Sequence, residues 1–579
     1  MNRLLTVVCA AFIACVLSGC QSTTPASPEA RPAGNAAQET DGPFDVLILN
    51  GRVVDGTGAP WFYGDVGING DRISAIGELD GRKATTTIDA SNLVVSPGFI
   101  DMLGQSEFNV LVDPRAASKI TQGVTTEITG EGSSIAPLND ALVKAAQPQY
   151  DRFKVTLDFR TLNDYFARLQ RNKPAINVGT FVGAGGVRAY VLGNGQKDAA
   201  PNDLEEMKKL VDQAMLQGAL GVSTSLQYVP GRFASTDEIV GPAKVARKYG
   251  GIYISHQRSE SGQIMSSLDE VFAVAERANI PAEVWHLKTA YKANWGRMAE
   301  VLKRFADARA RGLDVTANMY PYDRASNGLD ACLPLWVREG GLEQMLARLN
   351  DPSLRDRIKR DMDDPNAKDW ENQWYGSGGG AGVMISTVLD PALRKWEGKN
   401  LVEIGKEMGK DPRDAAMDLV IADRGETSVI ISIMREDDVR LALSNPMIAI
   451  GTDSGARAED GSFSESKSHP RAWGSFTRIL GKYVRDEKLI PLEDAIRRFT
   501  SRPAMRVGIT DRGLLRPGMK ADVTIFNPAT VKDVSTFVDP THYSQGIEHV
   551  LVNGVAVVSG GKITDGRPGQ VVRGRGYRP

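Results

Sequence analysis

The sequence predicts an α/β fold: a distorted (β/α)8 barrel of the TIM type, with a small β-sandwich and an inserted subdomain. Three observations carry this. Eight short β-prone runs, 94–100, 123–130, 176–183, 218–225, 250–256, 281–286, 313–320 and 446–453, alternate with helix-like stretches. Both chain ends carry short strands of similar grammar, with Asn-Gly turns at Asn50-Gly51 and Asn553-Gly554. The gap between the seventh and eighth runs is far longer than one crossover needs. An open doubly wound sheet is the alternative reading of the same alternation.

The chain begins with Met1-Asn2-Arg3 and an apolar stretch over 4–17 that ends Leu17-Ser18-Gly19-Cys20. The stretch has signal-peptide length and is too short to span a bilayer comfortably. Its end resembles the lipobox of bacterial lipoproteins, which implies a signal over 1–19 and lipidation of Cys20. An ordinary secretory signal with an incidental Cys20 is the alternative. Gln21 rather than Asp follows, so the resemblance implies delivery to the outer membrane, in the cell envelope and facing the periplasm. Stable attachment takes more than one acyl chain. Residues 20–43, rich in Ser, Thr, Pro, Ala and Gly, read as a flexible tether.

The strands at 44–96 and 505–579 are then expected to form one sandwich from both ends of the chain. The barrel occupies 97–504, and its inserted subdomain runs from about 327 to 445. Of the four cysteines, Cys9 and Cys15 leave with the signal, Cys20 takes lipid and Cys332 stands alone, so no disulfide supports the fold. A chain of 579 residues can bury a large core instead. Its 69 basic and 71 acidic residues leave a net charge of −2, which gives no electrostatic case for a nucleic-acid partner.

The stretch 250–290 organises the rest. Ile252-Tyr-Ile-Ser-His256 and Ala282-Glu-Val-Trp-His286 each end an apolar run with a histidine. Between them, Ser267-Leu268-Asp269-Glu270 has a capping-box pattern, and Leu268, Val271, Phe272 and Ala275 trace one helix face. Strand, helix, strand implies a right-handed parallel unit with both imidazoles at one carboxyl-terminal rim. One such histidine is unremarkable core material, but here two of only five end successive strands.

The other strand ends supply Asp101, Gln105 and Glu107, then Glu131, then Lys288, then Tyr320, Tyr322 and Ser326, and finally Asp453. Two neutral imidazoles with a carboxylate suit Zn²⁺ and leave a position open for water. Asp453, in Gly451-Thr452-Asp453, is the candidate to carry a proton from water to a leaving nitrogen.

Pro97-Gly98-Phe99-Ile100-Asp101, Gln122-Gly123-Val124-Thr125-Thr126, His286-Leu287-Lys288, Tyr320-Pro321-Tyr322, Gly451-Thr452-Asp453 and His469-Pro470-Arg471 together resemble the amidohydrolase superfamily, and within it the N-acyl-D-amino-acid deacylase branch. The resemblance runs from about residue 44 to 566. It implies metal-dependent hydrolysis of an amide, with His256 and His286 as metal ligands and Asp453 as general acid/base. It also implies that Lys288, Tyr320, Ser326 and Arg471 surround the substrate and its carboxylate.

Two departures stand out. The family's His-x-His after strand one is here Leu103-Gly104-Gln105, and its Cys after strand two is replaced by Gly130-Glu131-Gly132. The expectation is therefore one divalent metal, most simply zinc, with Glu131 as third ligand and Gln105 at a vestigial second-metal position. The implied substrate is a small N-acyl amino acid or short D-residue amide. Alternatives on the same scaffold are a cyclic-amide or dipeptide hydrolase, or a binding lipoprotein that has lost its metal. The glycine-rich run Gly376-Ser-Gly-Gly-Gly-Ala-Gly382 lacks the Lys-Ser/Thr of a phosphate loop and reads as a mobile flap. His542 and His549 read as structural.

Overall fold

The β-prone runs pair in parallel and in chain order. The computed structural model describes residues 42–367, 370–464 and 467–579. The signal-like segment, Cys20 and nearly all of the tether lie outside these residues. Phe99–Asp101, Val124–Thr129 and Asn177–Thr180 form barrel strands one to three. Val182–Gly183 prolongs strand three past Phe181. Gly221–Ser225, Ile252–His256, Ala282–Val284, Val315–Met319 and Ile448–Ile450 follow as strands four to eight.

Backbone hydrogen bonds close the ring. Met102 N–H donates to Ile450 O at 3.3 Å, Asp453 N–H to Leu103 O at 2.8 Å, and Gln105 N–H to Ser454 O at 3.2 Å. The strands run the same way, so their carboxyl ends share one rim. Ile100, Ile128, Phe181, Leu220, Ile254, Trp285 and Ala449 fill the interior from different strands, all buried. It is a packed core, not a pore.

Several expectations need correction. The run 94–100 is two strands in two sheets. Val94–Pro97 pairs with Phe44–Val53 and Val523–Phe526, whereas Phe99–Asp101 enters the barrel. The hand-over falls at Gly98, where a Cβ would lie 2.2 Å from Thr125 Oγ1, so only glycine fits. Strands from both ends do meet in one nine-stranded mixed sheet, with Val94–Pro97 bridging the two sets.

Asn553-Gly554 is a hairpin turn with both φ angles positive. Asn50-Gly51, by contrast, is an irregularity inside the strand Phe44–Val53. The last residues leave that sheet and floor the barrel: Val572 N–H donates to Val178 O and Gly574 N–H to Gly218 O, both at 2.9 Å. The helix between the histidine strands spans Ile264–Ala278, so Ser267 is no cap. Its hydroxyl instead accepts from Ser259 N–H at 2.9 Å. Leu268, Val271, Phe272 and Ala275 are buried as the periodicity predicts.

Between strands seven and eight the chain forms an antiparallel sheet of Arg324–Gly328, Ser428–Ser432 and Val383–Thr387 with attendant helices. This sheet stands over the rim and brings Ser326 to it. At the start of the run 376–382, Gly376 is packed: a Cβ there would lie 2.4 Å from the Tyr291 ring.

Candidate metal centre

His256 is the last residue of strand five, and His286 sits two residues beyond strand six in a left-handed conformation, φ +37°. The rings lie 4.4 Å apart, nearly perpendicular. Glu131 reaches them from the end of strand two, between Gly130 and Gly132, both at positive φ. A Cβ at Gly132 would lie 2.2 Å from Ser225, so this turn demands glycine.

Glu131 Oε1 is 2.8 Å from His256 Nδ1 and 3.2 Å from His286 Nε2, and the two nitrogens are 2.9 Å apart. These three atoms are the one cluster among the described residues with the spacing of a metal site. Metal–ligand bonds of about 2.1 Å give tetrahedral edges of about 3.4 Å, close to these separations.

The rings are also oriented for a cation. His256 Nε2 faces Gln227 Oε1 at 3.1 Å, and His286 Nδ1 faces Glu260 Oε1 at 2.8 Å. Gln227 Oε1 can only accept, so the His256 proton sits on its outer nitrogen and its lone pair points at the centre, while His286 Nδ1 lies between the acceptor Glu260 Oε1 and the donor Lys288 Nζ, 2.7 Å away. The donor set therefore fits a divalent ion. Burial and Lys288 push the His286 imidazolium pKa down, but Glu260, Asp453 and Glu131 outweigh them and raise it to about 9. The field that holds a proton there also favours a cation. Burial works against a charged Glu131, yet the two histidines hold its carboxyl well below the usual range.

Gln105 joins this centre to the aspartate. Its Nε2 donates to Glu131 Oε2 at 2.8 Å and to Asp453 Oδ1 at 2.9 Å. Asp453 Oδ2 pairs with Arg471 Nη1 at 2.6 Å. The turn carrying Asp453, φ +50°, is pinned from below. Buried Asp101 accepts from Thr452 N–H at 2.8 Å and from Lys119 Nζ at 2.7 Å. Asp101 is thus a foundation of the turn and not a ligand. Glu107 accepts from Gly130 N–H at 2.7 Å and steadies the Glu131 loop. Burial, chiefly, pushes its carboxyl up to about 7.

Lys288 lines the cavity beside the centre. It is buried, and its Nζ donates to Glu260 Oε1 at 2.6 Å, 2.7 Å from His286 Nδ1. Its charge is already paired inside the protein. Tyr320 lies under Arg471, whose guanidinium is 4.7 Å from the ring centre. The Tyr320 hydroxyl and Arg471 Nε are buried without hydrogen-bond partners. Tyr320, Ser326, Lys288, Asp453 and Arg471 all line one cavity of about 340 Å³ with the three-donor centre.

Sequence reasoning missed Glu260 and Gln227, which orient the two imidazoles. Glu260 follows His256 by four residues on the same rim loop, which is a usable signal. Glu371 and Gln373, which line the cavity from the insertion, gave none. The other histidines lie elsewhere. His469 accepts from Arg471 N–H and faces Arg324 O, each at 3.0 Å. His542 pairs with Asp539 at 2.8 Å, and His549 is in the terminal sheet. Tyr322 points its hydroxyl towards Pro470 and Asp533, and Cys332 is a buried free thiol.

A parallel barrel whose rim gathers Glu–His–His with an aspartate opposite defines a metal-dependent hydrolase. Residues 390–558 match the amidohydrolase family. Over 537 residues the chain is 33% identical to a D-aminoacylase of Alcaligenes xylosoxydans xylosoxydans, covering 93% of this chain and 99% of that one. It is 33% identical over 533 residues to an N-acyl-D-glutamate deacylase of the same organism, covering 92% and 96%. Among solved structures it is similar to the N-acyl-D-glutamate deacylase of Bordetella bronchiseptica, complexed with zinc and a phosphonate inhibitor. That match has a TM-score of 0.75 and 32% identity, covering 92% and 100%. The chain belongs to the amidohydrolase family. It is a metal-dependent hydrolase of carbon–nitrogen bonds other than peptide bonds, and its metal is a divalent ion of the zinc type.

Proposed function

We propose that this chain is an N-acyl-D-amino-acid deacylase that works with one metal held by Glu131, His256 and His286. The observation that carries this reading is Asp453, fixed between Gln105 and Arg471, at the edge of the three-donor centre and inside the same cavity. A divalent ion there supplies acidification of water and polarisation of the amide carbonyl.

The chain's own residues do the rest. Asp453 takes the proton of the attacking water and returns it to the leaving nitrogen. Gln105 can donate but not ionise, so it fixes the carboxylate without neutralising it. Glu260 faces the outer nitrogen of His286. The substrate carboxylate goes to Arg471, Tyr320 and Ser326, which line the cavity beside Asp453. Lys288 contributes through Glu260 and by its charge. Gln105 also stands where a second ion would need a better ligand, which supports a one-metal centre.

The D-configuration rests on the named relatives, which act on N-acyl-D-amino acids. For location, the reading is a lipoprotein anchored through Cys20 to the outer membrane and facing the periplasm. It is supported by Leu17-Ser18-Gly19-Cys20 and the tether that follows. Partners are then a small N-acyl amide and the membrane.

The test is hydrolysis of paired N-acetyl-D- and N-acetyl-L-amino acids by zinc-loaded protein. Turnover of the D series that is lost in Asp453→Asn is expected. Turnover confined to cyclic amides or to the L series would contradict the reading. Cys20→Ser should release the protein from the membrane fraction, and an unchanged distribution would contradict the anchor.

A further inference from the structure

His469 stands apart from the metal centre, yet it is bonded to the residues assigned to the substrate carboxylate. It is buried, just before the helix Arg471–Arg478. Its Nδ1 accepts from Arg471 N–H and its Nε2 faces Arg324 O, each at 3.0 Å. An amide N–H can only donate and a carbonyl oxygen can only accept. One neutral tautomer, with the proton on Nε2, therefore satisfies both partners. Burial, and then the Arg471 guanidinium, hold the imidazolium pKa well below its usual value, so the ring keeps that form.

The two partners belong to different parts of the fold. Arg471 opens a helix after strand eight, whereas Arg324 begins the strand Arg324–Gly328 of the inserted sheet, which carries Ser326. Rings from two further segments brace the imidazole. Tyr320 and Tyr322, just past strand seven, have centroids 6.1 and 5.4 Å from it, and Phe537 of the terminal segment lies at 5.2 Å. Tyr320 is also the ring under the Arg471 guanidinium. The backbone of Arg471, the ring of Tyr320 and the strand of Ser326 thus all border one imidazole. A carboxylate clamp built from separate elements needs its donors held to a fraction of an ångström.

We infer that His469 is a positioning residue for the substrate carboxylate: by bridging Arg471 to the strand of Ser326, it sets the spacing of the groups that receive it. The inference rests on the deacylase reading and deepens it. His469 is not among the residues lining the cavity, so its effect passes through these neighbours.

The test is steady-state kinetics of zinc-loaded His469→Phe, which keeps an aromatic ring in the cage but neither hydrogen bond. We expect KM for N-acetyl-D-leucine to rise by about tenfold or more while kcat changes by less than about threefold, the pattern of lost binding common to ground and transition states. Zinc content should match the wild type. N-acetyl-D-leucinamide, which has no carboxylate, should keep its kcat/KM to within about threefold, so the preference for the acid shrinks. His469→Asn can still accept from the N–H two residues on but loses Arg324, and should raise KM by a smaller factor. If His469→Phe does not fold, the acid-to-amide ratio is read in His469→Asn, and an unmoved ratio there overturns the role. In His469→Phe, an unmoved KM, equal losses on acid and amide, or a fall confined to kcat would also overturn it, while leaving the deacylase reading standing. Absence of turnover of every N-acyl-D substrate by the wild type overturns both.

Discussion

The charged and the neutral polar groups of the cavity are held on different terms in its two walls. On the barrel rim the charged groups are held by protein partners: His286 by Glu260, His256 by Gln227, Asp453 by Gln105 and Arg471. The Tyr320 hydroxyl on the barrel side and the Gln373 carboxamide oxygen on the inserted wall are, by contrast, buried without partners. The contrast teaches where each kind of information sits. Chemistry needs groups preset to within a fraction of an ångström, and hydrogen-bonded strand ends provide that. Selectivity needs groups left unsatisfied until the right ligand supplies what is missing.

The sharpest way to break the contrast is at the aspartate. Asp453→Asn keeps the shape but cannot carry the proton, so kcat should fall by about 10²–10⁴-fold, measured in steady state on N-acetyl-D-amino acids with zinc content unchanged. A loss of less than tenfold would move the proton carrier elsewhere.

Next come the outer partners of the rings. Glu260→Gln loses the charge that faces the outer nitrogen of His286 and leaves Lys288 buried without its counter-ion. Zinc affinity should weaken by about 10–100-fold, as read by chelator competition. Wild-type affinity would show that the ring is fixed without it.

The proton on His286 gives a pH signature. Its pKa in the metal-free protein is raised from an ordinary 6.5 to about 9. A folded-state value above the unfolded one stabilises fully below about 6.5, and that stabilisation is lost as pH rises through about 9. It amounts to at most ~3 kcal/mol. Metal-free protein should therefore melt at a lower temperature at pH 9 than at pH 6.5. Zinc, which must displace this proton, should bind about tenfold more tightly per pH unit until about pH 9. Melting and binding that do not change across this range would contradict the assignment.

The smallest effect is expected at Gln105. Gln105→Ala removes two donors but no charge, and should lower kcat by about tenfold without loss of zinc, a cost of the order of one or two hydrogen bonds to charged groups. Loss of the metal would instead make Gln105 part of its binding.

The barrel was legible because parallel strands buried on both faces leave continuous apolar runs, and His256, His286 and Asp453 each sit just past one. What the sequence hid depends on tertiary placement. The run 94–100 reads as one strand because both of its halves are β-prone, and only the contact of Gly98 with Thr125 shows the change of sheet. Ser267 matched a capping box, yet the helix starts earlier, at Ile264, because its apolar face extends back to that residue. Nothing local announces Glu260 as the partner that Lys288 holds at the cavity wall. Glu371 and Gln373 lie 85 and 87 residues beyond His286, in a segment with no strand-end rule to flag them.

The most direct test of the account is a zinc-edge anomalous difference map from crystals grown with excess zinc. It should show one peak in the cavity, about 2.0–2.2 Å from Glu131, His256 Nδ1 and His286 Nε2. Two peaks sharing Glu131, or no peak among these three atoms, would contradict it.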